Sequence, residues 1–282
     1  MSNLIIDSHS HIGIGFNHSV ATLEEYKKIQ DILNIDISLL MPQPILYEKT
    51  KNQELLDKIN SSLYQEISLS SINEKVFFIP MVSPIYTPSY ILEKYIEHYQ
   101  PIAFKIHLKN DSSHPDIIPE SFTKTIKRKG IPLIVHTDYS KTTDSEKDRL
   151  KNLNSALSWF NYFRKNEIKG YLTHGARLSP YVLEQVNLEE GIGIGIGPDI
   201  LLSQFPSSLE QSSDFLTTLY NYVNPERLFF DIDYNWNLDQ SNNLEINSIT
   251  RIKSLWNDQE QNMILGDNSN EFFGIAKRLQ KK

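Results

Sequence analysis

Leu4-Ile5-Ile6-Asp7-Ser8-His9-Ser10-His11-Ile12-Gly13 is the stretch on which the reading of this chain turns. An apolar run leads straight into Asp-x-His-x-His. Read as a strand, whose side chains alternate between faces, it puts Asp7, His9 and His11 on one side. Two imidazoles two residues apart on a rigid strand can grip one divalent ion, and neutral imidazole is a common ligand for borderline metals. His-x-His alone is as compatible with two surface histidines, so the decision rests on what ends the later strands.

Seven further stretches read as buried strands. They are Ile35–Met41, Val76–Val82, Ile102–Leu108, Ile131–His136, Gly170–His174, Gly191–Gly197 and Leu228–Asp233. Each is short, rich in branched or aromatic residues, and bounded by Pro, Gly, Asn or Asp. Helical spacing separates them, over Thr22–Leu33, Gln53–Ile72, Ser89–Tyr99, Glu120–Lys129, Glu146–Lys165, Pro180–Val186 and Leu209–Tyr222, then near Ile246–Trp256 and Asn268–Leu279. Strand and helix alternating throughout imply an α/β fold of parallel strands with right-handed crossovers. Eight units favour a closed (β/α)8 TIM barrel in one domain over residues 1–282, with an open doubly wound sheet as the alternative. The long loops, 43–51, 109–119, 138–145, 199–208 and 234–243, each follow a strand, on the side where barrels build active sites.

Composition narrows the chemistry. The chain has 282 residues, 39% hydrophobic and 22% charged, which is enough for a substantial core. Its net charge is -7, with no dense Lys/Arg cluster, which disfavours nucleic acid as a partner and with it a nuclease or phosphodiesterase. There is no cysteine, so a metal would have to be held by His, carboxylate or modified Lys. The first apolar run has no basic flank and is interrupted early by Asp7 and His9. We therefore expect no signal peptide, no membrane span and a cytoplasmic protein.

The strand ends decide the matter. His9 and His11 end the first strand, Lys105 and His107 the fourth, His136 the fifth, His174 the sixth and Asp233 the eighth. Five of the eight histidines thus sit at or near the carboxyl end of an expected strand. His18, His98 and His114 read as solvated loop or helix residues. A packed core gains nothing from imidazoles at strand ends, and metal binding is the natural reading.

These motifs resemble the amidohydrolase superfamily, and within it the amidohydrolase-related branch of small hydrolases and non-oxidative decarboxylases. The resemblance is carried by Asp7-Ser8-His9-Ser10-His11, Phe104-Lys105-Ile106-His107, Gly130–Thr137 (GIPLIVHT), Thr173-His174-Gly175 and Leu228–Tyr234 (LFFDIDY). The closing Ile264–Asn268 and Phe272–Ile275 resemble the last helix of that branch, so the likeness spans the chain. Asp231 stands where Gly is usual, adding a carboxylate to the barrel lining. Asn235 stands where Pro is usual, leaving the last loop less rigid.

The resemblance implies one divalent ion, zinc by preference, held by His9, His11, His136 and Asp233, with Asp233 and His174 as catalytic groups. Asp233 would pass the water proton to the leaving group and His174 would polarise the substrate carbonyl. Lys105, His107 and Arg177 are candidates for holding substrate. Lys105 has two other readings, as an ion-pair partner of Asp7 or Asp231, or carboxylated and bridging a second metal. We favour an unmodified ammonium paired with Asp7 or Asp231 below a single ion. Asp267 competes with Asp233 for the eighth-strand role, but we read it as the cap of the last helix. The glycines of 191–197 either open room above the metal or allow tight packing against a helix, and the second is preferred. The expected activity is hydrolysis of a small amide, cyclic amide, lactone or ester. Non-oxidative decarboxylation of a small unsaturated or aromatic acid, and a metal-holding binding or structural protein, are the other readings. A small-molecule substrate is expected, and a homo-oligomer is left open.

Overall fold

The computed structural model describes residues 4–14, 20–44, 52–107, 114–137, 146–197, 218–234 and 248–280. Strands lie at all eight expected places: β1 (Ile6–Ile14), β3 (Ile37–Pro42), β4 (Val76–Phe78), β5 (Phe104–His107), β6 (Leu133–His136), β7 (Gly170–Leu172), β8 (Ile192–Ile196) and β9 (Leu228–Phe230). A two-residue strand, β2 (Val20–Ala21), is additional; it pairs antiparallel with Gly13 and Ile14. Two residues are too short to show a periodicity, which is why the sequence gives no sign of it. All other pairings are parallel, in two sheets ordered β2-β1-β3-β4 and β5-β6-β7-β8-β9.

Among the described residues the ladder is therefore not one continuous ring, and β4, β7 and β9 each stop two or more residues earlier than their sequences suggest. The run expected over 76–82 pairs regularly only to Phe78, because Pro80 has no N–H to donate. Beyond it Met81 forms a single bridge to Lys105, with Val82 N–H bonding Lys105 O at 2.8 Å and Lys105 N–H bonding Pro80 O at 3.0 Å. The run expected to Asp233 leaves the ladder after Phe230, and Asp233 itself has φ 48°, outside extended geometry. There the chain is held to β1 instead: Asp233 N–H bonds His9 O and His11 N–H bonds Tyr234 O, each at 2.8 Å.

The two faces of the sheets bury different cores. One face packs Leu40, Phe104, Val135, Leu172, Ile194 and Phe230 against helices that include α1 (Leu23–Leu33), α3 (Ser89–Tyr99), α4 (Glu120–Lys129), α5 (Glu146–Asn166) and α6 (Pro180–Val186). The other gathers Ile6, Leu39, Met41, Phe77, Ile134, Tyr171 and Phe229 with Phe272 and Phe273. Helix α1 starts with a capping box, Thr22 Oγ1 accepting from Glu25 N–H and Glu25 Oε2 from Thr22 N–H. Helix α2 (Gln53–Leu69) ends three residues before the expected Ile72, because Ser70 Oγ bonds the last-turn carbonyl of Ile67 at 2.7 Å and a 3-10 turn over Asn73–Lys75 follows. The helices expected at 209–222 and 246–256 are described over 218–222 and 248–255. Most of the expected loops, with His18 and Asn235, lie outside the described residues. No helix among the described residues is long and apolar enough to cross a membrane.

In β8 the isoleucines pack with the helix-side core, while the glycines face side chains of neighbouring strands. A Cβ on Gly193 would fall 2.3 Å from the Phe229 ring, and one on Gly195 would fall 2.4 Å from both Asp231 Oδ2 and the Tyr171 hydroxyl. Tight packing is thus right, but the glycines make room for strand side chains rather than for a helix. The segment over 264–267 is π-helical and continues the helix Asp258–Asn262. Asn268 N–H bonds Met263 O, so the α-helix Asn268–Phe273 follows that turn without a break. Asp267 is exposed and makes no side-chain cap, which corrects the expectation that it caps the last helix.

Candidate metal centre

The strand β1 does not place its three motif residues on one face. Asp7 pairs with Ser38 and Ser10 with Leu40, so three steps along β1 match two along β3. This bulge inserts one residue and changes which face the following side chains take. Asp7 consequently turns toward α1 and Ser38, sharing its side with Ser10, while His9 turns toward Lys105. Asp7 is fully buried. Its Oδ1 accepts from Ile232 N–H at 3.0 Å and His9 N–H at 3.2 Å, and its Oδ2 from Ser10 Oγ at 2.5 Å and the Tyr26 hydroxyl. Burial pushes this carboxyl above its ordinary value, with those four donors pulling it back.

Three of the expected ligands converge. Donor atoms of His9, His11 and Asp233 lie within 4.8 Å of one another. Asp233 Oδ1 is 3.6 Å from His9 Nδ1 and 4.0 Å from His11 Nε2. His11 Nδ1 lies 3.0 Å from Pro42 O and must carry its proton there, which leaves the Nε2 lone pair directed at Asp233. His9 Nδ1 is buried and has no hydrogen-bond partner. His11 Nε2 and Asp233 Oδ1 thus face each other without a proton between them, and His9 Nδ1 joins them with a lone pair when its ring proton lies on Nε2, beside Lys105; a divalent cation would satisfy that arrangement. Burial, then the charge of Lys105, drives His11 down to about 3 and His9 well below the ordinary histidine range. Both rings are therefore neutral, the state a metal ligand requires.

His174 joins His136 to this group. His174 Nδ1 is 3.8 Å from Asp233 Oδ2, and its Nε2 is 2.8 Å from His136 Nδ1. His107 stacks on His136 with ring centroids 4.0 Å apart. His174 opens a turn in which His174, Gly175, Ala176 and Arg177 all have left-handed φ, between 48° and 59°. Non-glycine residues there cost about 1–2 kcal/mol each, and such strain concentrates at functional sites. Arg177 sits half-buried in that turn. His98 and His114 are exposed, as expected.

Lys105 is fully buried, and its Nζ lies 2.8 Å from His9 Nε2. Burial lowers its pKa to about 7, while the charges of Asp233 and Asp231 oppose the shift. Of the two expected partners, Asp7 does not pair with Lys105, because the bulge turns it away and neutral donors satisfy it, whereas the charge of Asp231 does act on Lys105. Asp231, like Asp7, is met by a phenol: the Tyr171 hydroxyl donates to Oδ2 at 2.8 Å. Tyr26 and Tyr171 went unrecognised as site residues because a buried tyrosine at helical or strand spacing reads as core.

No family model matches the sequence, and no curated protein does. Solved structures do resemble it. A 2,6-dihydroxybenzoate decarboxylase from Rhizobium superposes with TM-score 0.72 at 10% identity, covering 97% of this chain and 99% of that one. A Staphylococcus aureus protein assigned as an amidohydrolase gives 0.67 at 14%, covering 96% and 99%. An Acinetobacter baumannii protein assigned as a 2-pyrone-4,6-dicarboxylic acid hydrolase, with citric acid bound, gives 0.65 at 16%, also covering 96% and 99%. The chain thus shares the fold of amidohydrolase-superfamily enzymes, the family that its strand-end motifs resemble.

Proposed function

We propose that this chain is a metal-dependent hydrolase acting on a small amide, cyclic amide, lactone or ester, built as a single (β/α)8 barrel. The observation that carries the reading is the convergence of His9 Nδ1 and His11 Nε2 on Asp233 Oδ1. The barrel reading is supported by the backbone bonds that bridge both gaps between the sheets.

His9, His11 and Asp233 would hold one divalent ion, with His136 as the fourth ligand, and zinc suits such a nitrogen and oxygen set. When bound, the ion supplies a water acidified from ~15.7 towards ~7 and a Lewis acid for the substrate carbonyl. Asp233 accepts the water proton and returns it to the leaving group. His174, whose Nδ1 is 3.8 Å from the second oxygen of that carboxylate, shares the proton and polarises the substrate. The His136 bond and the left-handed turn fix the His174 ring for this task. Lys105, His107 and Arg177 hold the acidic part of the substrate. Lys105 is taken as unmodified, its Nζ already against His9 Nε2.

Decarboxylation with the same centre is the second reading, favoured by the likeness to the 2,6-dihydroxybenzoate decarboxylase. The purified protein is assayed with its metal content known, against a panel of lactones, cyclic amides and esters and a panel of aromatic and unsaturated acids. Hydrolysis that is lost with the metal supports the first reading. Carbon dioxide release from the acids, without hydrolysis, replaces it with the second, and inactivity on both panels by metal-loaded protein counts against both.

A further inference from the structure

Asp7 has no part in the chemistry proposed above, yet it is buried and accepts four hydrogen bonds. What it does follows from the three residues that carry Asp233. Ile232 N–H donates to Asp7 Oδ1 at 3.0 Å, Asp233 N–H to His9 O at 2.8 Å, and Tyr234 N–H to Ser10 Oγ at 3.2 Å. Three successive N–H groups thus all end on β1, alternately on a side chain, the backbone and a side chain. A regular parallel strand cannot do this, because its successive N–H groups point to opposite sides. The left-handed Asp233 breaks that alternation, and Asp7 and Ser10 supply the two acceptors that backbone carbonyls cannot reach.

Asp7 is itself held. Ser10 Oγ lies 2.5 Å from Oδ2, and the Tyr26 hydroxyl meets the same oxygen. The Tyr26 hydroxyl lies 2.7 Å from Ser38 Oγ, which Gln30 Nε2 contacts at 2.8 Å. The chain of contacts therefore runs from α1 through Asp7 to the backbone beside Asp233. We infer that Asp7, braced by Tyr26 and acting with Ser10, is a positioning residue that clamps Ile232–Tyr234 onto β1 and so aims the Asp233 carboxylate at His9 and His11. Its consequence for metal rests on the metal-centre reading; the clamp itself rests on the hydrogen bonds.

The test uses Ser10→Ala and Tyr26→Phe, which keep the Asp7 carboxylate, with Tyr162→Phe as control. Tyr162 loses a comparable bond, 2.7 Å to Thr123 Oγ1, between two helices away from the site. Amide hydrogen exchange is read by NMR on the metal-free protein, and Co2+ affinity and the visible Co2+ spectrum by competition with a chelator. In Ser10→Ala and Tyr26→Phe, the Ile232, Asp233 and Tyr234 amides should exchange about tenfold faster, while those of Val135 and Leu172 keep their rates. Co2+ should bind about 10- to 100-fold more weakly with an altered spectrum. Tyr162→Phe should change neither. Unchanged exchange at the three amides in both variants overturns the inference whatever the metal does. Faster exchange with unchanged Co2+ affinity and spectrum overturns the positioning role. If the wild type binds no Co2+ while the exchange pattern is as expected, the metal centre is refuted and the clamp stands.

Discussion

The two places where the sheets meet are built alike and serve differently. Between β4 and β5, the backbone around Met81 lacks a strand partner on one side, and the Asn60 side chain from α2 takes that place. Its Nδ2 donates to Met81 O at 2.8 Å and its Oδ1 accepts from Met81 N–H at 2.9 Å. Between β9 and β1, the Asp7 carboxylate takes only the N–H of Ile232, which Oδ1 accepts at 3.0 Å. The Asn60 amide uses its oxygen and one N–H on the Met81 backbone and its Nδ2 also meets the Tyr95 hydroxyl at 3.2 Å, which leaves nothing for a ligand. At the other join, the irregular backbone turns Asp233 toward the His9 and His11 rings. Both joins feed the same centre, since the Met81 bridge carries Lys105, whose Nζ reaches His9. The side chain that completes each broken ladder is scaffold, and at the β9–β1 join the break is what turns Asp233 out of the strand.

The largest expected effect attacks the β9–β1 join. Purified protein should carry about one divalent ion per chain, and His9→Ala or His11→Ala should lose it together with turnover, as elemental analysis after gel filtration will report. Unchanged metal content in both variants would sink the site assignment. Asp233→Asn should lower turnover by ~10^2- to 10^4-fold with a near-normal melting temperature, because it removes the proton acceptor.

Acid should also separate the joins. His11 has its pKa near 3 in the folded chain against 6.5 when free. Between those values the unfolded chain binds a proton that the folded chain refuses. Stability of the metal-free protein should therefore fall as the pH drops below 6.5, by up to ~1.4 kcal/mol per unit for this group. Urea titrations at pH 7 and pH 5 measure it; equal midpoints would mean that His11 is not buried as described. A smaller effect belongs to the β4–β5 join. Asn60→Ala orphans the Met81 N–H and C=O and should cost about 1–3 kcal/mol in urea denaturation while metal content stays the same. Smallest of all, Asp267→Asn should leave turnover and stability unaltered, since the side chain is exposed and caps nothing; a large loss of activity would return it to contention with Asp233.

Much of this was legible in the residues. Strand and helix stretches stand where short apolar runs and amphipathic spacing put them, because burial patterns are local and periodic. The gathering of His9, His11 and Asp233 followed from strand ends sharing one edge of a parallel sheet. The errors have a common cause. Period-two counting assigned Asp7 to the same face as His9 and His11, and a single bulged residue in β1 undid it. Asp7 is accordingly lost as a partner of Lys105, while Asp231 still acts on it by charge, and the phenols of Tyr26 and Tyr171, which meet the buried carboxylates, carry no signal of that role in their spacing.

By itself, then, the sequence determined the alternation of elements, the absence of thiol ligands and the set of histidines and aspartates able to hold a metal. All of these depend on residue type and near-neighbour spacing. Only the tertiary structure decided which of them meet. Asp7 bonds Ile232 across 225 residues and Lys105 reaches His9 across 96. The bulge in β1 and the left-handed turns at His174 and Asp233 set where each side chain points. Those conformations are imposed by packing and hydrogen bonds from distant segments, and no local pattern encodes them.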